Sequence, residues 1–370
     1  MFDSPEAMTF GVRITLLVCV LAPGLLTAAT PWLMPRGDVF AVTLPDAALR
    51  DPRLLGLRRR YALTMVALTF ILVVIALLNI ENVAIFVAAS LLLPIVGFFG
   101  MLACRSRVLS LKRSEGWSLT GSRTTSVKLP PEAPGPISLR WNLLYAPIIL
   151  ATIVLTVELY PAMPERLVMQ VGFDGQAASF AGKTPWSAGL PVIMQLFMTG
   201  VLVACHIAIA HSKRPGASAS PIATALGYGM FAQGQTIVLL GTGLGLTAGM
   251  ATIPLADAGI VSLTSVVAVL LAVTLAALAA SIMVALRYGQ AGSRLGAGVE
   301  GSAAPDSATS DDDAHWKAGV IYVNPGDPSV VVPRRFGVGW TLNLGNWRGW
   351  LALAALVGVT VLFCAAVAAI

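Results

Sequence analysis

Charge is scarce in this chain. Asp, Glu, Lys and Arg make up 11% of the 370 residues, hydrophobic residues 56%, and the mean hydropathy is +0.81. A soluble domain carries about a quarter of its residues as charges, so a water-soluble globule is excluded. Histidine is also rare, with three in the whole chain. Two of them, His206 and His211, are five positions apart and do not share a helical face as an i, i+4 metal pair does. The chain has no HExxH, no phosphate-binding loop and no paired intramembrane aspartates. No catalytic residue, metal or cofactor is therefore assigned, and a non-enzymatic role is expected. The four cysteines, Cys19, Cys104, Cys205 and Cys364, fall within or at the ends of apolar runs. They read as buried free thiols, without a disulfide framework.

What is present is a series of apolar runs. Eight are long enough to cross a ~30 Å hydrocarbon core as helices, over 14–33, 61–79, 83–104, 142–160, 188–210, 221–246, 258–286 and 350–370. They are continuously apolar and lack the alternation of a barrel strand, which predicts an all-α polytopic membrane protein of about eight transmembrane helices. Lys and Arg set the expected orientation. Of the 24 basic residues, 21 fall between runs 1 and 2, 3 and 4, 5 and 6, and 7 and 8; Arg13, Arg166 and Lys183 fall on the other side. Those four loops are expected in the cytoplasm, with both termini outside. The net charge of +6 then belongs to the cytoplasmic face, where it suits anionic lipid headgroups and gives no reason to expect nucleic acid. A cleaved signal peptide is the rival reading of the first run, since Thr27-Ala28-Ala29 follows an apolar core. Asp3 and Glu6, standing where a basic cluster would be, favour a retained helix.

The chain divides accordingly. Residues 1–104 hold the first three helices and a basic loop over 34–60; 105–141 form a Pro-rich connector; 142–210 hold helices four and five around an outer loop, 160–186. Helices six and seven occupy 211–286, a Gly-, Ala-, Ser- and Asp-rich flexible linker 287–314, a cytoplasmic hairpin 315–349, and the last helix 350–370. In the outer loop, Pro161 and Pro164 stop the fourth helix, Phe173-Asp174-Gly175 makes a turn, and Pro185 precedes the next entry. An ordered loop there is the natural place to meet an outside ligand, with Glu158, Tyr160, Glu165, Arg166, Gln170, Asp174 and Lys183 as candidate contacts. Glu158 is expected to pair with Arg166 or Lys183.

The cytoplasmic segment has a turn signal at Asn324-Pro325-Gly326-Asp327-Pro328 between two β-prone runs, predicting one hairpin. Its Trp316, Tyr322, Arg334, Arg335 and Trp340 are candidate contacts to lipid headgroups or to a protein partner. The β-prone stretch 39–44 is expected to add a strand to it. Within the spans, Asn142, Gln195, His206, Gln233 and Gln235 are expected to hold helices together, because an unpaired amide in hydrocarbon is costly. Gly241, Gly245 and Gly249, at four-residue spacing, form a bare face for close helix packing.

Two resemblances rest on these residues. Tyr160, Met163-Pro164-Glu165-Arg166, Gly175, Phe180 and Lys183, with the helix before them, resemble the bacterial membrane family DUF1648. That family's pattern has a Pro-x-His where this chain has Val168-Met169-Gln170, so a role for a titrating imidazole is not carried over. The segment Trp316-Lys317-Ala318-Gly319, Tyr322, Asn324-Pro325, Asp327-Pro328 and Val332-Pro333-Arg334-Arg335-Phe336-Gly337, with Gly339-Trp340-Thr341 and Asn343, resembles DUF5808. The first resemblance implies kinship with SdpI-type membrane proteins, which give immunity to a secreted toxin and signal its presence to a cytoplasmic repressor. The expected function is a non-enzymatic envelope sensor or immunity-type binding protein of the bacterial cytoplasmic membrane. Its candidate partners are anionic lipids, an extracellular peptide or toxin and a cytoplasmic regulator. The alternative is a secondary transporter of a small solute, against which stand the missing intramembrane carboxylates and repeat.

Overall fold

The computed structural model describes residues 5–35, 37–45, 47–79, 82–117, 133–171, 177–214, 221–294 and 313–369. Ten helices carry it: α1 (Pro5–Leu33), α2 (Pro52–Leu78), α3 (Val83–Ser114), α4 (Tyr145–Leu159), α5 (Pro185–Ala188), α6 (Leu190–Ala210), α7 (Pro221–Met250), α8 (Ile253–Asp257), α9 (Leu263–Tyr288) and α10 (Trp347–Ala368). Among the described residues, seven segments are long and apolar enough to cross a membrane, and Leu17–Leu33 of α1 is a shorter apolar helix. The protein is a multi-pass, mostly helical membrane protein.

Local chemistry starts these helices where they start. Asp51 caps α2 by accepting from the Arg53 backbone N–H at 2.8 Å, with Pro52 at the first helical position, where a missing N–H costs nothing. Asn82, Ser262 and Asn346 cap α3, α9 and α10 in the same way. Thr184 and Ser187 form a reciprocal capping box on α5. The spans 61–79 and 83–104 prove too short: α2 begins nine residues earlier and α3 runs ten residues further. Hydropathy marks where the bilayer ends, and these two helices continue through their arginines into the basic region beyond it.

Four short antiparallel pairs accompany the helices: β1 (Asp38–Val39) with β2 (Val42–Thr43), β3 (Arg166–Val171) with β4 (Ala177–Gly182), β5 (Trp316–Lys317) with β6 (Ile321–Tyr322), and β7 (Val331–Pro333) with β8 (Trp340–Leu342). The first helices pack as α1, α2 and α3 around a core of Phe40, Leu54, Tyr61, Met65, Phe86, Leu93 and Met101. In the second group α7 is central, touching α4, α6 and α9, while α10 leans on α6 through stacked Phe197 and Phe363, 4.0 Å between centroids.

The glycine face predicted on α7 is divided. Side-chain atoms of Val273 and Leu270 on α9 press against Gly245 and Gly249, where a Cβ would meet them at 2.8 and 2.7 Å. Nothing lies within 4 Å of that position on Gly241, so this glycine takes no part. Gly243, on another side of α7, admits Tyr145 of α4. The thiols also differ from expectation: Cys19, Cys205 and Cys364 lie on exposed helix surfaces and Cys104 is half-buried.

Candidate functional site

The loop between α4 and α6 is a hairpin. After α4, a single 3-10 turn over Tyr160–Ala162 uses the two prolines to redirect the chain, and β3 then pairs with β4 in register Arg166↔Gly182, Leu167↔Ala181 and Val168↔Phe180. A bulge follows at Met169, so that Gln170 faces Ser179. Leu167 and Met169 share a strand face and pack with Met163, Tyr160 and Ala188, fixing the hairpin to the helix ends. Lys183 is the tie: its Nζ donates to the Met163 carbonyl at 2.8 Å, sits 5.1 Å from the Tyr160 ring centroid, and its backbone N–H donates to Glu165 at 2.9 Å. Glu158 does not join this set. It is exposed, with no ion pair to Arg166 or Lys183 among the described residues. Glu165, Arg166 and Gln170 are exposed on the hairpin, and Asp174 lies outside the described residues. A turn signal, Phe173-Asp174-Gly175, between two short strand-compatible runs is the sequence mark of a hairpin.

Below the hairpin, Gln195 is wholly buried between α4, α6 and α7, where its Nε2 donates to Thr152 Oγ1 at 2.8 Å and to the Thr247 carbonyl at 2.9 Å. Its Oε1 has no hydrogen-bond partner among the described residues. Deeper along α6, His206 accepts or donates through Nδ1 to the Asn142 side chain at 3.1 to 3.2 Å. Its Nε2 lies 3.0 Å from the Ile137 carbonyl, and a carbonyl only accepts, so Nε2 carries a proton. Thr236 accepts from the Ile137 N–H at 3.2 Å. The end of the Pro-rich connector is thus held between α6 and α7, and Asn142, Gln195 and His206 do join helices.

At the far ends of the helices, the described parts of the loops rich in Lys and Arg meet residues 313–346, a strap that ties them together. This segment is not one hairpin. The turn at Asn324–Pro328 joins two hairpins, β5–β6 and β7–β8, through a parallel bridge between Tyr322 and Asn343. Asn343 is their common centre: fully buried, it donates to the carbonyls of Asn324, Asp327 and Ser329 at 2.9 to 3.1 Å and accepts from the N–H groups of Asn324 and Gly345 at 3.0 Å. Gly345 and Gly349 allow this approach, since a Cβ on either would run into the backbone of Asn324 or Asn343.

One end of the strap meets the α1–α3 group. β1 and β2 pair with each other, not with the strap, around a two-residue turn in which Phe40 and Ala41 both have positive φ, 49° and 59°. Bulky residues rarely accept that conformation. Here Phe40 is buried edge-on against Tyr61 with centroids 5.5 Å apart, and the Ala41 carbonyl accepts from Arg105. Gly319, at the β5–β6 tip with φ 74°, lies against both Ala41 and Arg105. Beside them, Asp313 accepts from Lys112 at 2.7 Å, from the Thr43 N–H at 3.1 Å and from Arg335, whose guanidinium also lies 3.9 Å from Asp38 and over the Trp316 ring. Burial works to raise the Asp313 carboxyl, but Lys112, Arg335 and the Thr43 N–H hold it below the usual range. Asp38 is buried more deeply, and burial prevails over Arg335 to push its carboxyl up.

The other end of the strap meets α6, α7 and α9. The Lys213 N–H donates to the Val331 carbonyl at 2.8 Å and its Nζ pairs with Asp327 at 2.5 Å. Burial opposes the charge on Asp327, yet Lys213 and the Ser329 N–H lower its carboxyl on balance. Trp340 donates to the Tyr228 hydroxyl at 3.1 Å and packs on Phe231; Gln290 is buried and bonds Arg334 and Gly339 backbone on both its amide atoms. Trp316, Tyr322 and Arg335, expected as outward contacts, are therefore interior residues, Trp340 is half-buried, and Arg334 alone of the five is exposed. Lys112, Arg105, Asp38, Lys213 and Gln290 had no motif to announce them. Asp313 ends an acidic run read as part of a flexible linker. Among the described residues no three His, Cys, Asp or Glu side chains gather as metal ligands would.

Residues 148–195 match the sequence model of the domain of unknown function DUF1648, and residues 325–350 match that of the family of unknown function DUF5808. The first spans α4, the hairpin and the start of α6; the second spans the Asn324–Pro328 turn, β7–β8 and the start of α10. No curated protein and no solved structure matches the chain.

Proposed function

We propose that the protein is a non-enzymatic sensor or immunity-type binding protein of the bacterial cytoplasmic membrane, with the β3–β4 hairpin outside and the strap in the cytoplasm. One observation carries the reading: α6 follows α5 after a single residue, Ala188 of α5 packs on the hairpin, and Lys213, three residues past the end of α6, bonds the strap. A rigid helix held at both ends conveys a displacement of one attachment to the other. Contact of an extracellular peptide or toxin with Glu165, Arg166 and Gln170 shifts α6, and the strap moves with it, altering what it presents to a cytoplasmic regulator. The gathering of the basic loops on the strap's face supports this orientation.

The test loosens the hairpin and reads the strap. Lys183→Ala removes the tie to Met163 and Tyr160, and hydrogen exchange at Lys213 and β7–β8 is then measured in nanodiscs. Coupling predicts faster exchange at those amides, and a photo-cross-linker at Gln170 that captures an added toxin peptide. Unchanged exchange, with solute flux through proteoliposomes of the purified protein, refutes the sensor and favours a transporter.

A further inference from the structure

On the basic face, between the strap and α3, lies a cleft of about 380 Å³ lined by Phe98, Val320, Ile321, Arg334, Phe336 and Thr341. Its volume is in the range of small-molecule sites, roughly 300–1,000 Å³. The lining is apolar apart from one threonine and one cation, and it contains no acid. Phe98 lies seven residues before Arg105 on α3, so this wall reaches about 10 Å towards the bilayer from the level of the buried arginine. Its neighbour Phe99 is 63% exposed and Ile321 is 44% exposed, leaving an apolar side through which a chain can enter from lipid.

Arg334 is held in place through its backbone and its Nε. Its backbone N–H donates to Gly339 at 3.0 Å, its carbonyl accepts from Gln290 at 3.1 Å, and its Nε donates to the Trp340 carbonyl at 2.9 Å. The guanidinium plane is thereby set, while Nη1 and Nη2 have no protein partner among the described residues. Two parallel N–H donors in a fixed plane match the two oxygens of a phosphate.

We propose that this cleft binds one anionic phospholipid, its phosphate on Nη1 and Nη2 of Arg334 and an acyl chain along Phe98, Ile321 and Phe336. The occupant sits between α3 and the strap, so it fills the gap beside the two bundles and stabilises the strap's docked position. A lipid is favoured over a free phosphate because four of the six lining residues are apolar, and a bare phosphate would leave that surface uncovered.

The purified full-length protein is titrated in detergent with phosphatidylglycerol or phosphatidylcholine of equal chain length, and retained lipid is counted by native mass spectrometry. One phosphatidylglycerol per chain is expected, with phosphatidylcholine lost. Arg334→Gln weakens retention at least about tenfold, the share of a charge-assisted pair. Phe98→Trp, on α3 and outside the strap, fills the cleft and weakens it equally even if the first variant disturbs the strap. Arg348→Gln, at the exposed start of α10, leaves it unchanged. Equal retention of phosphatidylcholine, wild-type retention by both cleft variants, or displacement by millimolar inorganic phosphate each overturns the proposal; the last result would mark a free-phosphate site.

Discussion

Asp313→Asn tests whether the strap is held to the α1–α3 group by its buried charges. The carboxylate receives Lys112, Arg335 and the Thr43 N–H. Lys112 and Arg335 side chains are only 11% and 10% exposed, so the amide leaves two nearly buried cations without this counter-charge. Removing one partner of a buried pair costs about 3–5 kcal/mol, and the residual exposure argues for the lower end. At about 1.4 kcal/mol per factor of ten, local opening of β5–β6 becomes about 100-fold more frequent. The assay is amide hydrogen exchange in nanodiscs at Thr43 and across β5–β6, compared with β7–β8, which is anchored separately through Lys213 and Gln290. Arg53→Gln is the control: its bridges to Asp51 and Glu115 are surface pairs, and exchange in the strap is expected to match wild type. Protection in Asp313→Asn within twofold of wild type would refute the reasoning, because the cluster would then add nothing to docking.

Acidification loosens the strap at both ends. The Asp313 and Asp327 carboxyls lie below their ordinary value of 3.8, so their stabilisation is complete at neutral pH and is lost as pH falls through the lowered values. Asp38 lies above that value, so its protonation comes first and relieves a buried charge, giving a slight tightening before the loss; exchange measured from pH 7 downwards reads both phases. On α7, Gly249→Val forces Leu270 away and weakens the α7–α9 contact, while Gly241→Ala is neutral or stabilising by up to about 1 kcal/mol. Thermal denaturation in detergent separates them, and an equal effect of the two would refute the division of the glycine face. Gln195→Ala strips donors from Thr152 and Thr247, with an expected cost of about 1 kcal/mol, as interhelical bonds in membranes are weak. A loss above about 3 kcal/mol in the same assay would refute the reading of these bonds as weak.

Much of the candidate site was legible residue by residue. Pro161 and Pro164 do end α4, and His206 and Asn142, both expected to need partners within the spans, meet each other. The pairing of Glu158 was not legible, because whether an interfacial carboxylate meets a lysine depends on where a neighbouring hairpin turns its side chains. Nor was the inward direction of Trp316, Tyr322 and Arg335. An aromatic and basic segment beside a membrane has the same composition whether it faces lipid or closes over buried acids, and Asp38 is 275 positions away from Asp313 in the chain.

The sequence by itself determined that this is a multi-pass helical membrane protein, where its apolar runs lie, and which loops carry the positive charge. Those properties follow from composition and local order, since a hydrocarbon core accepts only long apolar helices and Asp51, Asn82, Thr184, Ser262 and Asn346 each cap the helix that follows them. Only the tertiary structure decided that the basic loops meet, that two hairpins bridge two groups of helices, and that one arginine of the pair is buried while the other faces a cleft. Arg334 and Arg335 are adjacent and alike in the chain. They alternate across one strand end, so the docking of the strap sends them to opposite fates.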